Sequence, residues 1–367
     1  STRGKGLDAQ KELRALLGEK EYAAAEKSTL NAHYTSPRIV NALWGMAERL
    51  GFRGGRVLEP SMGSGNFLGL TPATLREKTA FTGVELDLAT GEIARLLYPD
   101  ANIKVQGFEE LQVPDNFYDL AIGNVPFGDY RISDPRYNKF VPSIHNYFFL
   151  KSLDKVRPGG IVMYITSTGT LDSSKAEPIR KHLYSQADLV DAFRLPADTF
   201  KNALTSVVTD VIIMRKRLPG EQPGSDLWVR NEQVENPDGG PKIKLNSYFA
   251  ANRAKMLGEF NGRNKLYQGR VSANVERTED FEQRLAEAML GLPTDILSDR
   301  AKAAQSEFRE AGKTVKAGAY VVQDGKLFRN EQGGLREVEK VEPQRVQRVE
   351  GMLRIRDLLN RLTDAEL

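Results

Sequence analysis

The chain contains no cysteine and only three histidines among its 367 residues. The absence of cysteine excludes disulfides, thiolate zinc sites and cysteine nucleophiles. Three histidines also argue against a histidine-based metal centre, so we predict no metal site. No hydrophobic run approaches the length of a membrane span, and no signal peptide opens the chain. We therefore expect a cytoplasmic protein that makes no contact with a membrane.

The composition allows a substantial folded protein with a slight positive charge. Hydrophobic residues make up 40% of the sequence, which is enough for a full core. The length exceeds that of one ordinary domain. Lysine and arginine total 52 against 49 acidic residues, a net charge of +3. This balance is compatible with a nucleic-acid partner but does not require one.

Changes in pattern divide the chain into four parts. Residues 1–29 form an N-terminal extension, within which 5–27 are predicted to be helical with Leu13, Leu16 and Leu17 on one side. Residues 30–217 alternate strand and helix patterns, which predicts an α/β domain with a doubly wound, mostly parallel sheet. Residues 218–242 are rich in proline and glycine and are interpreted as a linker. Residues 243–367 form a smaller α+β region.

Within this last region the sequence predicts two helices, a hairpin and a final helix. The helices are expected at 279–291 and near 297–311. The hairpin spans Tyr320–Phe328, because Asp324-Gly325 is a strong two-residue turn signal. The final helix follows Pro343.

A glycine-containing turn follows the first predicted strand of the α/β domain. Val57 and Leu58 close that strand, and Gly63 and Gly65 make a tight turn into a helix. This arrangement lets the backbone approach a nucleotide-like ligand. Leu68 stands where a dinucleotide fingerprint would place its third glycine. We therefore favour a site for an uncharged adenosine thioether over a pyrophosphate site.

An acidic residue ends the next predicted strand. Glu85 follows Gly65 by about 20 residues, the usual distance for a carboxylate that accepts hydrogen bonds from ribose hydroxyls. A solvated loop acid is the alternative for Glu85 alone. Its spacing from the glycine turn favours ribose binding.

The tetrapeptide Asn124-Val125-Pro126-Phe127 ends a later apolar strand. The Asn124 side-chain oxygen and the Val125 carbonyl can accept the two hydrogens of an exocyclic amine. Phe127 can stack on the ring of a base drawn out of a helix. An ordinary strand-to-loop turn is the alternative for the tetrapeptide alone.

Together these segments resemble motifs I, II and IV of S-adenosylmethionine-dependent DNA adenine methyltransferases, whose catalytic domain has the class I, Rossmann-like fold. Tyr34-Thr35-Ser36-Pro37 also resembles motif X, and Ser36 and Pro37 suit the start of a helix. The resemblance implies that Tyr34, Thr35 and Pro37 line the methionine end of the cofactor and that Glu59 lies near its ammonium group. The full predicted cofactor set is Tyr34, Thr35, Pro37, Glu59, Pro60, Gly63, Gly65, Phe67, Glu85, Leu86, Phe108 and Asn124.

The sequence departs from the family pattern at two positions. Val125 replaces the first proline of motif IV, which keeps the carbonyl but loses the fixed φ. Gly107 stands at the motif III aspartate that holds the cofactor's adenine amine, so Gln106 or Glu109 is a candidate substitute. Phe108 can pack on the adenine ring.

Motif VIII supplies an aromatic for the second face of the base, and Phe200 is the candidate. A hydrophobic loop anchor is an equal alternative for Phe200. His145 opens a predicted helix and is not assigned to catalysis, because the transfer needs no base. The basic run Arg215-Lys216-Arg217 is interpreted as a solvated strand end, with a phosphate contact as the alternative.

The whole chain resembles the N-terminal methylase region of methylase–helicase fusion proteins of phages, plasmids and other mobile elements. That resemblance rests on residues 124–130 and 144–148, on Asn246-Ser247-Tyr248-Phe249-Ala250 followed by 256–260, and on 318–334. It implies adenine N6 methylation of double-stranded DNA in a bacterium or a phage-infected host, in restriction–modification or antirestriction. A helicase would lie in the same full-length polypeptide. A methyltransferase fold that binds DNA without turnover and, less favoured, a protein glutamine methyltransferase are the alternatives.

Overall fold

The computed structural model describes residues 35–128, 132–140, 142–200, 208–267, 270–297, 309–310, 320–323, 326–331, 334–338, 342 and 344–353. They belong to two compact units. The first lies within Ser1–Leu111 and Asn116–Leu297, and the second within Gln112–Asp115 and Ser298–Leu367. The predicted N-terminal helices, Tyr34 and the Asp324-Gly325 turn lie outside the described residues.

A seven-stranded sheet organises the first unit, in the order β3-β2-β1-β4-β5-β7-β6. Strands β1 to β5 are parallel to one another, and β7 is antiparallel to both β5 and β6. This confirms the predicted doubly wound, mostly parallel sheet. The direction of winding reverses between β1 and β4, where ligands of such sheets bind. The strands are β1 Gly55–Glu59, β2 Thr79–Glu85, β3 Asn102–Val105, β4 Tyr118–Asn124, β5 Val156–Ser167, β6 Ala187–Leu195 and β7 Thr209–Lys216.

Helices connect these strands and cover both faces of the sheet. None of the described helices combines the length and hydropathy needed to cross a bilayer. Those of the first unit are α1 Pro37–Arg49, α2 Asn66–Gly69, α3 Ala73–Arg76, α4 Leu88–Leu97, α5 Ile144–Lys155, α6 Gly169–Asp172, α7 Glu177–Tyr184, α8 Ser247–Ala251 and α9 Phe281–Leu290.

Helix α1 shows how the local sequence fixes the start of an element. Pro37 occupies the first turn, where its missing N–H costs nothing. Ser36 is the N-cap residue, as predicted, but its side chain makes no capping hydrogen bond. Its carbonyl accepts the first helical hydrogen bond, from Val40 N at 3.1 Å. The buried side recurs at helical spacing and includes Leu43 and Trp44.

The first unit extends well beyond the predicted boundary at residue 217. Helix α9 places Phe281, Leu285 and Ala288 in the same hydrophobic core as α1 and the sheet. Arg49 of α1 donates from Nε to the carbonyl of Leu292 at 2.7 Å. The separate α+β region predicted from residue 243 therefore begins only after Leu297, because the intervening chain completes the core of the first unit.

The part of the proline- and glycine-rich segment around Trp228 is also packed into this unit. Trp228 is 1% exposed. Arg180 of α7 donates to the carbonyls of Val229, Thr170 and Ser173 and to Asn231 Oδ1. Two hairpins follow, formed by β8 Asn231–Val234 with β9 Ile243–Asn246 and by β10 Glu259–Tyr267 with β11 Arg270–Glu276.

The second unit contains a four-stranded antiparallel sheet in the order β12-β15-β14-β13. The predicted hairpin is present as β13 paired with β14. The end of the segment predicted as a helix near 297–311 is a short strand instead, in which Arg309 and Glu310 pair with β15. A helix is present over 344–353 after Pro343, as predicted. The strands are β12 Arg309–Glu310, β13 Tyr320–Gln323, β14 Lys326–Glu331 and β15 Gly334–Glu337.

Candidate active site

The glycine turn after β1 comes close to a tyrosine ring on one side and borders open space on the other. Gly65 has φ of 87°, and a Cβ there would lie 2.5 Å from Cε2 of Tyr98. Any other residue at Gly65 would be strained and would meet the ring. A Cβ on Gly63 would meet no heavy atom within 4 Å. The turn therefore packs tightly against the Tyr98 ring at Gly65 and leaves space for a ligand at Gly63.

Glu85 at the end of β2 is bonded to this turn. Its Oε2 accepts from Gly63 N and its Oε1 from Asp87 N, both at 2.8 Å. Burial raises the pKa of Glu85, and the two backbone hydrogen bonds partly oppose that rise. A carboxylate offers about four lone-pair positions, so Glu85 retains acceptor capacity toward a ligand.

Glu59 at the end of β1 is a buried carboxyl group with unused acceptor capacity. It is 2% exposed, and its Oε2 has no hydrogen-bond partner among the described residues. Burial raises the pKa of Glu59 well above its usual value, and the nearby Glu85 carboxylate raises it further. Such a group is stabilised by a cationic ligand, because buried charge requires a partner.

The Asn124 tetrapeptide begins at the carboxyl end of β4, beside the glycine turn. Ser61 of that turn donates from Oγ to the Asn124 carbonyl at 2.9 Å. Val125 continues the pairing with β5, since its N–H donates to the Ile165 carbonyl at 3.1 Å, and its side chain is buried. Phe127 is half-buried. The predicted ribose-binding and amine-binding segments therefore meet at one edge of the sheet.

The start of α1 is joined to the same edge. The Thr35 carbonyl accepts from Asn66 Nδ2 at 3.3 Å, at the start of α2. Thr35 is buried, whereas Pro37 is exposed. Pro60 is buried beside Glu59. The motif X segment thus contacts the helix that follows the glycine turn.

The Glu109 carboxylate lies beside Gly107, the residue at the position predicted to correspond to motif III. A Cβ on Gly107 would come within 2.6 Å of Glu109 Oε2 and 2.5 Å of its Cδ. A side chain at 107 would require the Glu109 carboxylate to move. Lys151 holds this turn by donating to the Glu109 carbonyl at 2.8 Å. Of the two predicted substitutes, the geometry favours Glu109 over Gln106.

Three predicted aromatic contacts are packed inside the protein. Phe67 and Phe200 are 2% and 3% exposed and belong to the main hydrophobic core. Phe108 is 3% exposed, and its ring centroid lies 5.0 Å from that of Phe148. The structure therefore favours the loop-anchor interpretation of Phe200. Leu86, next to Glu85, is by contrast exposed, with an exposed fraction of 72%.

Sequence reasoning missed the cluster that fixes the segment after the tetrapeptide. Asp134 accepts hydrogen bonds from Tyr147 Oη at 2.7 Å and from Lys151 Nζ at 3.4 Å. Tyr137 Oη donates to Asp154 at 2.7 Å. These bonds hold residues 132–140 against α5. The aromatic run at 144–149 is the only signal for this cluster in the sequence, and by itself it predicts no function.

His145 and the basic run have structural partners. His145 Nε2 lies 2.9 Å from Ser143 Oγ at the start of α5. Arg215 pairs with Glu221 and Arg217 with Asp188. Lys216 donates to the carbonyls of Leu153 and Val156. The run is therefore engaged within the protein, neither a solvated strand end nor a free phosphate contact.

The strand order and the single reversed strand β7 define the class I methyltransferase fold, and the glycine turn, Glu85 and Asn124 lie at the carboxyl ends of its strands. No protein-family model matches the chain. The chain is 34% identical, over 254 residues, to the Defense against restriction protein B of Escherichia phage P1. The match covers 68% of this chain but only 11% of that phage protein.

Solved methyltransferase structures show a similar architecture. One is the methyltransferase subunit of a type I restriction-modification system from Streptococcus thermophilus, 21% identical with a TM-score of 0.44, covering 60% of this chain and 52% of that chain. Another is the M protein of the type I restriction enzyme EcoKI, 15% identical with a TM-score of 0.42, covering 74% and 75% of the two chains.

Proposed function

We propose that the chain is an S-adenosylmethionine-dependent methyltransferase that methylates the N6 amine of adenine in double-stranded DNA. One observation carries the proposal: the hydrogen bond from Ser61 to Asn124 joins the glycine turn to the amine-binding tetrapeptide. A cofactor held by the first and a base held by the second would share one edge of the sheet. The similarity to a phage protein named for defence against restriction is consistent with an antirestriction or modification role, with a helicase elsewhere in the full-length polypeptide.

The residues at this edge suit the chemical parts of that cofactor. Glu85 would accept hydrogen bonds from the ribose hydroxyls, and the Glu59 carboxyl would pair with the ammonium group. Glu109 would accept from the adenine amine, and Leu86 offers an exposed apolar side chain for the adenine ring. The open space at Gly63 leaves room for the sugar. Thr35 would line the methionine end of the cofactor.

Catalysis would consist mainly of positioning. The bound cofactor supplies an electrophilic methyl group on a sulfonium sulfur. The Asn124 side-chain oxygen and the Val125 carbonyl accept the two amine hydrogens, which leaves the nitrogen lone pair directed away from the ring plane. Phe127 stacks on the base. Well-oriented reacting groups lower a barrier by about 7–11 kcal/mol. The displaced proton passes to water.

The proposal is tested by incubating the protein with plasmid DNA and isotopically labelled cofactor, followed by nucleoside mass spectrometry. Labelled N6-methyl-2′-deoxyadenosine is expected. Labelled cytosine, labelled protein or no label would contradict the assignment. Calorimetric titration with the cofactor then separates an inactive fold that still binds from one that does not bind.

A DNA-binding fold without turnover is the second candidate. The burial of Phe200 favours it, because the base would then be stacked on one face only among the described residues. DNA binding and cofactor binding without any labelled nucleoside would support this candidate.

Replacing Glu85 with alanine is expected to weaken cofactor binding by about 1–3 kcal/mol, through the loss of charge-assisted hydrogen bonds. The change also frees the Gly63 amide, so the turn loses its anchor. Calorimetry gives the affinity. Asp87→Ala is the matched control, since Asp87 caps α4 through Thr90 N at 2.8 Å and is assigned no ligand contact. Equal affinities of wild type and Glu85→Ala would refute the ribose assignment.

Cofactor binding is expected to release a proton from Glu59. Burial raises the pKa of this carboxyl group, so it is neutral over a range above its usual value of 4.5 in the free protein. An ammonium group favours the ionised form, and affinity should therefore rise with pH up to the raised pKa. Titrations in buffers of different ionisation enthalpy measure the release.

The Glu59→Gln variant provides the control for this proton release. It should bind the cofactor without proton release and more weakly. Its stability relative to wild type should increase with pH between the usual carboxyl value of 4.5 and the raised pKa, because in that range the unfolded wild type ionises Glu59 while the folded wild type keeps it protonated. Proton release that persists in Glu59→Gln would assign the effect to another group.

The two phenylalanines are expected to respond differently to alanine. Stacking contributes about 1–3 kcal/mol per base, so Phe127→Ala should weaken binding of DNA with a mismatched target adenine, and Phe127→Tyr should preserve it. Phe200→Ala should instead lower the unfolding free energy by about 3–5 kcal/mol, because the side chain lies in the core. Thermal unfolding and DNA titration distinguish the two. If Phe200→Ala left stability unchanged but weakened DNA binding, Phe200 would be a base contact and not a core residue.

A further inference from the structure

Lys151 of α5 is a buried cation that contacts two separate parts of the chain. Only 5% of this residue is exposed. Its Nζ donates to the carbonyl of Glu109 at 2.8 Å and lies 3.4 Å from Asp134 Oδ2. Glu109 is the residue proposed to accept the adenine amine of the cofactor. Asp134 belongs to the segment 132–140, so one ammonium group bridges the adenine end of the cofactor site and this segment.

The surroundings of this ammonium group offer few other partners. The ring centroids of Phe108 and Tyr147 lie 5.3 and 5.9 Å from Lys151 Nζ. Burial lowers the pKa of Lys151, and the Asp134 carboxylate opposes that fall. A buried charge requires polar partners, which aromatic faces replace only in part. The position of the ammonium group therefore depends mainly on Glu109 and Asp134.

Asp134 organises the segment 132–140 through further hydrogen bonds. Its carboxylate accepts from Tyr147 Oη at 2.7 Å and from the Arg136 amide at 3.1 Å. Its own amide donates to Asn138 Oδ1 at 3.0 Å. A displacement of the Asp134 carboxylate would therefore disturb the bonds that shape this segment.

The two polar contacts of Lys151 differ in length. The bond to Glu109 has the length of a charge-assisted hydrogen bond, whereas the 3.4 Å contact with Asp134 exceeds the usual value of about 2.7–2.9 Å. A small movement of the Glu109 turn would carry the ammonium group with it and change the longer contact most. A ligand that fixes this turn would also restrict the ammonium group and, through it, Asp134. A second ligand that requires an ordered segment would then bind at a smaller entropic cost.

We propose that Lys151 is a positioning residue that couples the adenine end of the cofactor site to the segment 132–140, so that bound cofactor strengthens DNA binding. This inference rests on the proposed methyltransferase function and adds a coupling between its two ligands. Ile132 follows Phe127, the proposed base-stacking residue, by only five positions. The exposed side of the segment includes Lys139, a residue type that commonly contacts DNA phosphates.

The coupling is measured as the affinity for DNA with a mismatched target adenine, with and without saturating S-adenosylhomocysteine, which has no transferable methyl group. Wild type should bind this DNA at least about fivefold more tightly when the ligand is present. Lys151→Met should change by less than about twofold, because it removes the contacts with Glu109 and Asp134. The coupling is reciprocal, so DNA should strengthen binding of the ligand to wild type by the same factor.

Two controls locate the origin of the coupling. 5′-Methylthioadenosine keeps the adenine and ribose but lacks the amino-acid end of the cofactor, and it should reproduce the tightening in wild type. Tyr137→Phe removes the hydrogen bond from Tyr137 Oη to Asp154, which anchors the same segment without any contact with the Glu109 turn. This variant should retain the full coupling.

A fluorescent label gives a second readout that does not depend on DNA. Because the chain has no native cysteine, the exposed Ser133 can be replaced by cysteine and labelled with an environment-sensitive dye. S-adenosylhomocysteine should change the emission of labelled Ser133→Cys but not that of Ser133→Cys/Lys151→Met. Asp134→Asn replaces Lys151→Met if the latter fails to fold. Its amide oxygen still accepts from Tyr147, but it removes the charge that faces Lys151 and should abolish the coupling too.

Thermal unfolding establishes that each variant is folded. Undiminished coupling in Lys151→Met or Asp134→Asn, or equal loss of coupling in Tyr137→Phe, would overturn the role of Lys151. Wild type that binds both ligands without coupling would also overturn it, while the proposed methyl transfer would stand. A wild-type chain that binds no S-adenosylhomocysteine would overturn both this inference and the proposed function.

Discussion

Asn124→Ala is expected to reduce methyl transfer by a factor on the order of 10³, while cofactor affinity changes only a few-fold. Loss of one pre-positioned hydrogen-bonding group at a reacting centre typically costs 10²–10³ in rate. The side-chain oxygen of Asn124 is buried at the carboxyl end of β4, where it would accept an amine hydrogen of the target base. The cofactor would be held mainly by residues of β1 and β2. Single-turnover kinetics and calorimetry measure the two quantities separately.

The conservative variant Asn124→Asp distinguishes a chemical role from a structural one. A carboxylate also accepts the amine hydrogen, so partial activity should return. Asn252→Ala removes a different half-buried amide, which donates to the Tyr248 carbonyl at 2.8 Å, and should leave transfer unchanged. Substantial turnover by Asn124→Ala would exclude the proposed amine contact.

Arg194→Met is expected to lower the free energy of unfolding by about 3–5 kcal/mol, because it leaves a buried carboxylate without its partner. Arg194 and Asp210 are both completely buried and form two hydrogen bonds, at 2.7 and 2.9 Å. Asp172 lies 2.8 Å from the same guanidinium. Burial alone would lower the pKa of Arg194, but Asp172 and Asp210 outweigh burial and raise it, so the arginine stays charged.

This destabilisation should depend on pH and on the partner. Without the arginine, burial raises the pKa of Asp210, and protonation removes the penalty, so the loss should be smaller in acid. Arg194→Met/Asp210→Leu should recover part of the stability. Lys181→Met, which breaks the exposed pair with Glu177, should leave the melting temperature unchanged. Urea unfolding at several pH values gives these differences. A pH-independent loss would contradict the ion-pair explanation.

The sequence could predict the strand ends but not the direction of aromatic side chains. Glu59, Glu85 and Asn124 each follow a run of apolar strand residues, and parallel pairing brings such ends to one edge. The sequence gives no comparable indication of where the side chains of Phe67, Phe108 and Phe200 point. An aromatic next to a motif packs equally well on a ligand or in the core, and the neighbours that decide are distant in sequence. Phe200, for example, shares its core with Leu285 of α9.

The first compact unit extends past the predicted boundary at residue 217 for a related reason. Proline and glycine in 218–242 indicated a linker, because local sequence does not reveal hydrogen bonds from elsewhere. Arg180 supplies those bonds, and Asn246 adds others to the carbonyls of Leu171 and Trp228. Gly107 departs from the motif III pattern, and the sequence alone does not show that the Glu109 carboxylate lies beside it.

The contact between α1 and α9 also affects the timing of folding during synthesis. Arg49 and its partner Leu292 are 243 residues apart in the chain. At about 5–20 residues per second, a ribosome needs roughly 10–50 s to synthesise the sequence between them. A Cβ on Gly45 would lie 2.8 Å from Met289 Sδ, so this side of α1 is closely covered only once α9 has been made. The nascent chain therefore carries an incomplete core for most of its translation, a period in which association with a chaperone would protect it.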